Sequence, residues 1–263
     1  MCAGCSSTDS TCEKLLDLTR LTQQQRNIVL APDGPMLVLA GPGCGKTTLL
    51  AARVAYLVAV RGIDPASVLT ISFTRVAASH LRERLTGLLG LQAKNVEVAT
   101  FHALGLRIVK HWQEELGFGP RPLVVYNQAE SRRVLKELAE QSDIDLRRTR
   151  FEQLAEEVDH FRLDGCCSLE LAQVRPLAQA YETLLRARGA LDFPSMLILP
   201  LRLLRESSAA AQLYRDVYRY VFADELQDVS PPQYELLRRI AGQHQNLGAV
   251  GDVAQTLYAY RGA

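Results

Sequence analysis

Two textures of apolar and polar residues alternate along this chain. In the first, a short apolar run stops abruptly and a stretch of helical period follows. Met36 to Ala40 reads as a buried strand, breaks at Gly41-Pro42-Gly43-Cys44-Gly45, and passes into a helix from Lys46 to Val60 through Leu49, Leu50 and Val54. The same unit recurs. A strand at Val68 to Phe73 precedes a helix beginning near Arg75, and a strand at Val96 to Thr100 precedes a helix after Phe101-His102. Tyr220 to Ala223 is a further apolar run, and another ends at Gly251-Asp252. Strands that alternate with helices predict an α/β fold, a parallel sheet with helices on both faces. Ahead of the first strand, Thr22 is placed to cap a helix containing Gln25, Ile28 and Val29, which Pro32 to Pro35 end.

The second texture runs from about Trp112 to Arg188. It is charged, with Leu at helical spacing, and its one strand-like run is Leu123 to Tyr126. This predicts a helical subdomain at 112–188 inserted into an α/β domain made of 15–111 and 189–263, with 1–14 a flexible tail. Arg147, Arg148 and Arg150 form a basic cluster in the insert. Such a run is more often a solvated face than a phosphate contact.

The break after Ala40 carries chemistry. Strand, glycine loop and Lys-Thr at a helix start make a phosphate-binding loop. The glycines let backbone N–H groups turn inward around a phosphate, and the helix N-terminus adds partial positive charge at the same spot. Gly41, Pro42, Gly43, Cys44, Gly45, Thr47 and Thr48 then line a nucleotide, Lys46 reaches its β- and γ-phosphates, and the Thr47 hydroxyl holds Mg²⁺. The strict pattern starts with Gly where this chain has Ala40. Asp224-Glu225, delivered by a hydrophobic strand, are the matching acids: Asp224 for Mg²⁺, Glu225 to orient and deprotonate the attacking water. Gln255 follows the last strand and is placed to contact the γ-phosphate. Gln25, ahead of the loop, can read an adenine edge because its amide both donates and accepts. Phe73 and Thr74, and His102, stand at C-terminal strand ends, where ligands of parallel sheets collect.

Composition narrows the partners. The chain has 263 residues, a net charge of +1, 48 % hydrophobic and 22 % charged residues, so any nucleic-acid contact must rest on local motifs rather than on overall charge. No apolar run is long enough to span a bilayer, and the polar start lacks a secretory core; a cytoplasmic location, or a nuclear one in a eukaryote, is the expectation. Six cysteines are present. Cys2, Cys5 and Cys12 lack a fourth ligand nearby, so free thiols in a tail fit better than a metal knuckle. Cys166-Cys167 fall in a turn near Gly165, and Cys44 is a small spacer in the loop.

Taken together, the motifs resemble the UvrD/Rep/PcrA-type superfamily 1 DNA helicases from about Leu21 to Ala263. "LTQQQ" is similar to the adenine-reading Q motif with Gln25 as reader, "AGPGCGKTT" to motif I, "ISFTRVAASHLRERL" to motif Ia and "ATFHALGLRIVK" to motif Ib. "LDFPSML" is similar to the short re-entry motif, "DELQDVSPPQYELL" to motif II and "GDVAQTLYAYRGA" to motif III. The resemblance implies a RecA-like, ATP- and Mg²⁺-dependent motor on single-stranded DNA, with Arg53 contacting nucleotide. It also implies Phe73, Tyr258 and Tyr260 stacking on bases, and His102 and Arg261 touching DNA or coupling it to the ATP site. Departures fall at Val76, Pro194, Ser195, Leu226, Ala254 and Tyr260, several of them on the DNA-facing or coupling side. A P-loop kinase does not account for motifs II and III together. Because the sequence stops after motif III, a second RecA-like domain or chain with motifs IV to VI is the implied partner. The expected behaviour of this chain alone is ATP binding with slow hydrolysis and no strand separation. The competing reading is an ATP- and single-strand-binding module without helicase activity.

Overall fold

The computed structural model describes residues 21–142, 150–165 and 174–252. The chain divides into two compact units, one formed by residues up to Phe101 with those from Ser207 onward, the other by His102–Glu206.

The first unit is built on a parallel sheet. Its strands are β1 (Met36–Leu39), β2 (Val68–Ile71), β3 (Glu97–Ala99), β6 (Tyr220–Ala223) and β7 (Leu247–Gly251), in the order β1-β7-β6-β2-β3. The register pairs Met36 with Gly248, Val68 with Tyr220 and Phe222 with Gly248. Alternation along the strands sends one set of side chains to each face. Val38, Val68, Val98, Tyr220, Phe222 and Val250 pack with Leu50, Val54 and Leu57 of α2 (Lys46–Ala59) and Leu81 and Leu85 of α3 (Arg75–Leu89). On the other face α10 (Pro231–Ala241), which follows α9 (Ser208–Val217) in the chain, contacts β6 and β7 and buries Leu236, Leu237 and Ile240. Gly248 makes room for a neighbour, since a Cβ there would lie 2.5 Å from the Phe222 ring. The expected α/β sheet with helices on both faces is therefore observed.

One strand departs from expectation. β1 is not buried throughout: Val38 is buried, but Leu37 and Leu39 are 58 % and 57 % exposed. The reason is its place at the sheet edge, paired only with β7 among the described residues. Because all strands run parallel, their C-terminal ends share one edge. Ala40 N donates to Gly251 O at 3.1 Å, and Asp224 N to Ile71 O at 2.9 Å. This alignment brings the loop after β1, the acids after β6 and Asp252 after β7 to one side of the sheet.

The second unit is helical: α4 (Phe101–His111) from His102 onward, α5 (Gln128–Gln141), α6 (Phe151–Asp164), α7 (Val174–Arg188) and α8 (Ser195–Glu206), with a two-stranded parallel pair, β4 (Val124–Val125) and β5 (Ala190–Leu191). Val134, Leu154, Val158, Leu177 and Tyr181 form its core. It is wider than the expected 112–188. Pro200 within α8 lacks the N–H that would bond Met196 O. The backbone of Gly105 lies against that carbonyl, so close that a Cβ would sit 1.7 Å from it. The two helices meet there at backbone distance, a contact that a change of texture at Trp112 and Arg188 does not reveal. Among the described residues no helix is long and apolar enough to cross a membrane.

Candidate functional site

The loop Gly41–Gly45 turns from β1 into α2 through two left-handed glycines, Gly43 at φ 76° and Gly45 at φ 74°. A residue with a Cβ adopts such angles at a cost of about 1 kcal/mol. Gly45 is also the N-cap of α2, and no side chain caps that helix. Its first N–H groups therefore need outside acceptors, which an anion supplies. Lys46 is only 8 % exposed, and its ammonium bonds weakly to Ala40 O at 3.3 Å and Gly41 O at 3.4 Å, with Asp252 Oδ2 at 3.8 Å.

Across from the loop, Thr47 Oγ1 donates to Asp224 Oδ2 at 2.9 Å, joining positions 177 apart in sequence. Asp224 is buried. Burial pushes its carboxyl above the ordinary range, the Thr47 hydroxyl offsets part of that, and the neighbouring Glu225 charge adds to the rise. A hydroxyl and a raised carboxylate, side by side, are hard oxygen ligands of the kind Mg²⁺ takes. Among the described residues no group of three or more His, Cys, Asp or Glu is arranged to hold a metal.

Glu225 follows Asp224 in the left-handed region, φ 54° and ψ 53°, and its N–H bonds Asp224 Oδ1 at 3.1 Å. The short turn Leu226–Asp228 then folds Gln227 back on it: Gln227 Nε2 donates to Glu225 Oε2 at 2.8 Å. The other end of that amide, Oε1, accepts Asp252 N at 2.8 Å. Asp228 is raised by burial and by the Glu225 charge.

The remaining candidates fall in several places. Gln25 closes a capping box on α1 (Gln23–Val29), its Oε1 accepting Thr22 N at 2.9 Å, and its Nε2 donates to Cys44 O at 3.2 Å. It stands beside the loop, with both ends of its amide on protein partners. Thr48 is exposed at the start of α2 and accepts a hydrogen bond from Arg84 of α3. Arg53 is the residue expected to contact nucleotide. It is 4 % exposed, and its guanidinium donates to Val29 O at 2.7 Å and Pro32 O at 3.2 Å, stapling α1 to α2. Thr74, expected at DNA, caps α3 by accepting Ala77 N at 3.1 Å, and Phe73 precedes it, half-buried. In the second unit the exposed His102 ring meets Phe193 edge-on at 5.5 Å. Gln255, Tyr258, Tyr260 and Arg261 lie outside the described residues. Gln227 and Arg84 escaped the sequence reading: Asp252, one partner of Gln227, is 25 positions away and Thr48, the partner of Arg84, is 36; the one local signal was an amide two residues after an acid pair.

A second charged cluster lies within the helical unit. Arg162, 4 % exposed, donates to Asp192 at 2.8 and 3.2 Å and to Ser195 Oγ at 2.8 Å. Glu182 and Asp159 also pair with it, at 3.4 and 3.3 Å. Tyr181 OH and Ser195 N complete Asp192. Burial alone would raise the Asp192 carboxyl, but the Arg162 charge together with the hydrogen bonds from Arg162 and Ser195 outweighs it and holds it low. Asp159 is pushed up to about 6 by burial, against the pull of Arg162. A cavity of about 370 Å³ opens beside this cluster, lined by Ser131, Arg132, Asp159, Tyr181 and Phe193 among others.

The chain matches the model of the UvrD/REP helicase N-terminal domain over residues 21–263. It is 35 % identical to the ATP-dependent DNA helicase UvrD1 of Mycobacterium bovis and of Mycobacterium tuberculosis, over 97 % of this chain and 35 % of theirs. It is 28 % identical to the ATP-dependent DNA helicase PcrA of Staphylococcus aureus, over 94 % of this chain and 35 % of that protein. It thus spans about a third of the length of these relatives. A phosphate loop met by an acid pair at one sheet edge agrees with that match, and the chain belongs to the UvrD/REP helicase family through its N-terminal domain.

Proposed function

We propose that this chain binds Mg·ATP at the loop after β1, hydrolyses it slowly, and serves as the ATP-binding part of a motor that moves on single-stranded DNA. The observation that carries the reading is the Thr47–Asp224 hydrogen bond, with Lys46 beside it. On nucleotide binding, Lys46 exchanges its long bonds to Ala40 and Gly41 for the β- and γ-phosphates, and the uncapped start of α2 receives the phosphate chain. Thr47 and Asp224 hold Mg²⁺, which when bound neutralises charge on the phosphate oxygens. Glu225 orients the attacking water and takes its proton, and Gln255 contacts the γ-phosphate. Gln25 gives up Cys44 O for the adenine edge. Phe73, Tyr258 and Tyr260 are assigned to base stacking, which tolerates any sequence, and His102 and Arg261 to DNA contact. A second RecA-like domain supplies the arginines that stabilise charge on the transferring group, worth roughly three to five decades of rate in related NTPases.

The test is nucleotide binding and steady-state ATPase, with and without single-stranded DNA, on this chain and on Glu225→Gln. Binding with slow turnover that Glu225→Gln removes is the expected result. No nucleotide binding refutes the proposal. Binding without any turnover leaves the reading of a binding module in its place.

A further inference from the structure

We infer that Gln227 is a positioning residue that aims the Glu225 carboxylate at the attacking water; this rests on the role proposed for Glu225 above. Glu225 is held at φ 54° and ψ 53°, a region that residues with a Cβ adopt only when their surroundings impose it. What surrounds it is the Gln227 amide. Nε2 donates to Glu225 Oε2 at 2.8 Å, and Oε1 accepts the backbone N–H of Asp252 at 2.8 Å. The orientation of the amide follows from chemistry: a carboxylate can only accept, so it must face the NH₂ end, and a backbone N–H can only donate, so it must face the oxygen.

The amide therefore bridges two strand ends. One belongs to β6 and carries the acid pair. The other belongs to β7, where the Asp252 carboxylate stands 3.8 Å from Lys46 Nζ. Gly251 leaves space for the bridge, because a Cβ there would come within 2.9 Å of Gln227 Oε1 and 3.3 Å of Leu226 Cβ. With Oε2 tied down, Glu225 keeps Oε1 for water, and its rotamer no longer depends on the solvent. A glutamate at 227 would retain the oxygen for Asp252 N but would set a second carboxylate against Glu225. A purely structural clamp between β6 and β7 needs only the Asp252 half of the bridge, whereas positioning needs the Glu225 half.

The experiment is single-turnover hydrolysis with protein in excess over Mg·ATP, followed to long times, on the wild-type chain, Glu225→Gln, Gln227→Glu and Gly251→Ala. ADP affinity is titrated in parallel as a check on folding and ground-state binding. Displacing a reacting group by about 1 Å costs up to about a hundredfold in rate. Gln227→Glu and Gly251→Ala are thus expected to lose at least about tenfold toward the rate of Glu225→Gln, equivalent to about 1.4 kcal/mol, with ADP affinity within about twofold of wild type. Gln227→Glu at the wild-type rate overturns the inference and leaves the role of Glu225 standing. So does a loss of rate that only tracks a loss of ADP binding. A wild-type rate no faster than that of Glu225→Gln refutes the assignment of Glu225 itself, and Gln227 falls with it.

Discussion

Arg162 in the helical unit and Lys46 in the sheet unit are both buried cations, 4 % and 8 % exposed, and their surroundings are finished differently. Arg162 has two carboxylate bonds to Asp192, a serine oxygen, and Glu182 and Asp159 as further ion partners. Lys46 has two long bonds to its own loop and a carboxylate at 3.8 Å. A buried charge is tolerated when its partners are complete. The complete cluster is one that holds its unit together. The incomplete one, next to an uncapped helix start, is shaped for something that arrives carrying negative charge.

Breaking each side of that contrast should give opposite signatures. Asp192→Ala strands the Arg162 charge and should cost about 3–5 kcal/mol of stability, read from the denaturation midpoint by far-ultraviolet circular dichroism. Lys46→Met gives up two long bonds and one ion contact at 3.8 Å: stability should fall by less than in Asp192→Ala, by about 1 kcal/mol, while nucleotide affinity falls by at least about tenfold through the loss of a charge-assisted phosphate contact. If both variants behaved alike, the contrast would be void. Arg53→Ala comes next. It removes two charged-donor bonds and should cost about 2 kcal/mol of stability with nucleotide affinity unchanged; a selective affinity loss would return Arg53 to the nucleotide.

Smaller effects sharpen the comparison. Thr47→Val deletes one hydroxyl, so it should weaken Mg·ADP binding by about 1 kcal/mol and leave metal-free ADP binding alone, as isothermal titration with and without Mg²⁺ would record. The least effect belongs to Asp159. Its folded value of about 6 lies above its ordinary 3.8, so the folded unit holds that proton more tightly than the unfolded chain. The resulting stability is full below 3.8 and is lost as pH rises through about 6. The side chain is 36 % exposed, so solvent screens the effect. Subtracting the melting profile of Asp159→Asn from that of wild type between pH 4 and 8 should leave a small slope of that sign.

Much of the sheet unit was legible because its signals are local. The Thr22 cap, the glycine loop, the start of α3 at Arg75 and the strand Tyr220–Ala223 each depend on a few neighbouring residues. The bonds of Arg53 were not legible, because a helical arginine looks the same whether it faces solvent or folds under the preceding helix to reach Val29 O. Leu37 and Leu39 read as core because apolar type does not say whether a strand is central or at an edge. The helical unit was seen as helical, but the approach of Gly105 to a carbonyl freed by Pro200, about 90 positions on, has no local signal.

By itself, the order of residues decided the elements, the phosphate loop and the acid pair, since hydrophobic period, glycine dihedrals and strand-end position are properties of short segments. Only the tertiary structure decided which groups meet: Thr47 with Asp224, Gln227 with both Glu225 and Asp252, Arg162 with Asp192. Parallel strand pairing sets the first of those distances and that of Gln227 to Asp252. It places residues far apart in the chain on one edge, and no local pattern encodes which strand becomes whose neighbour.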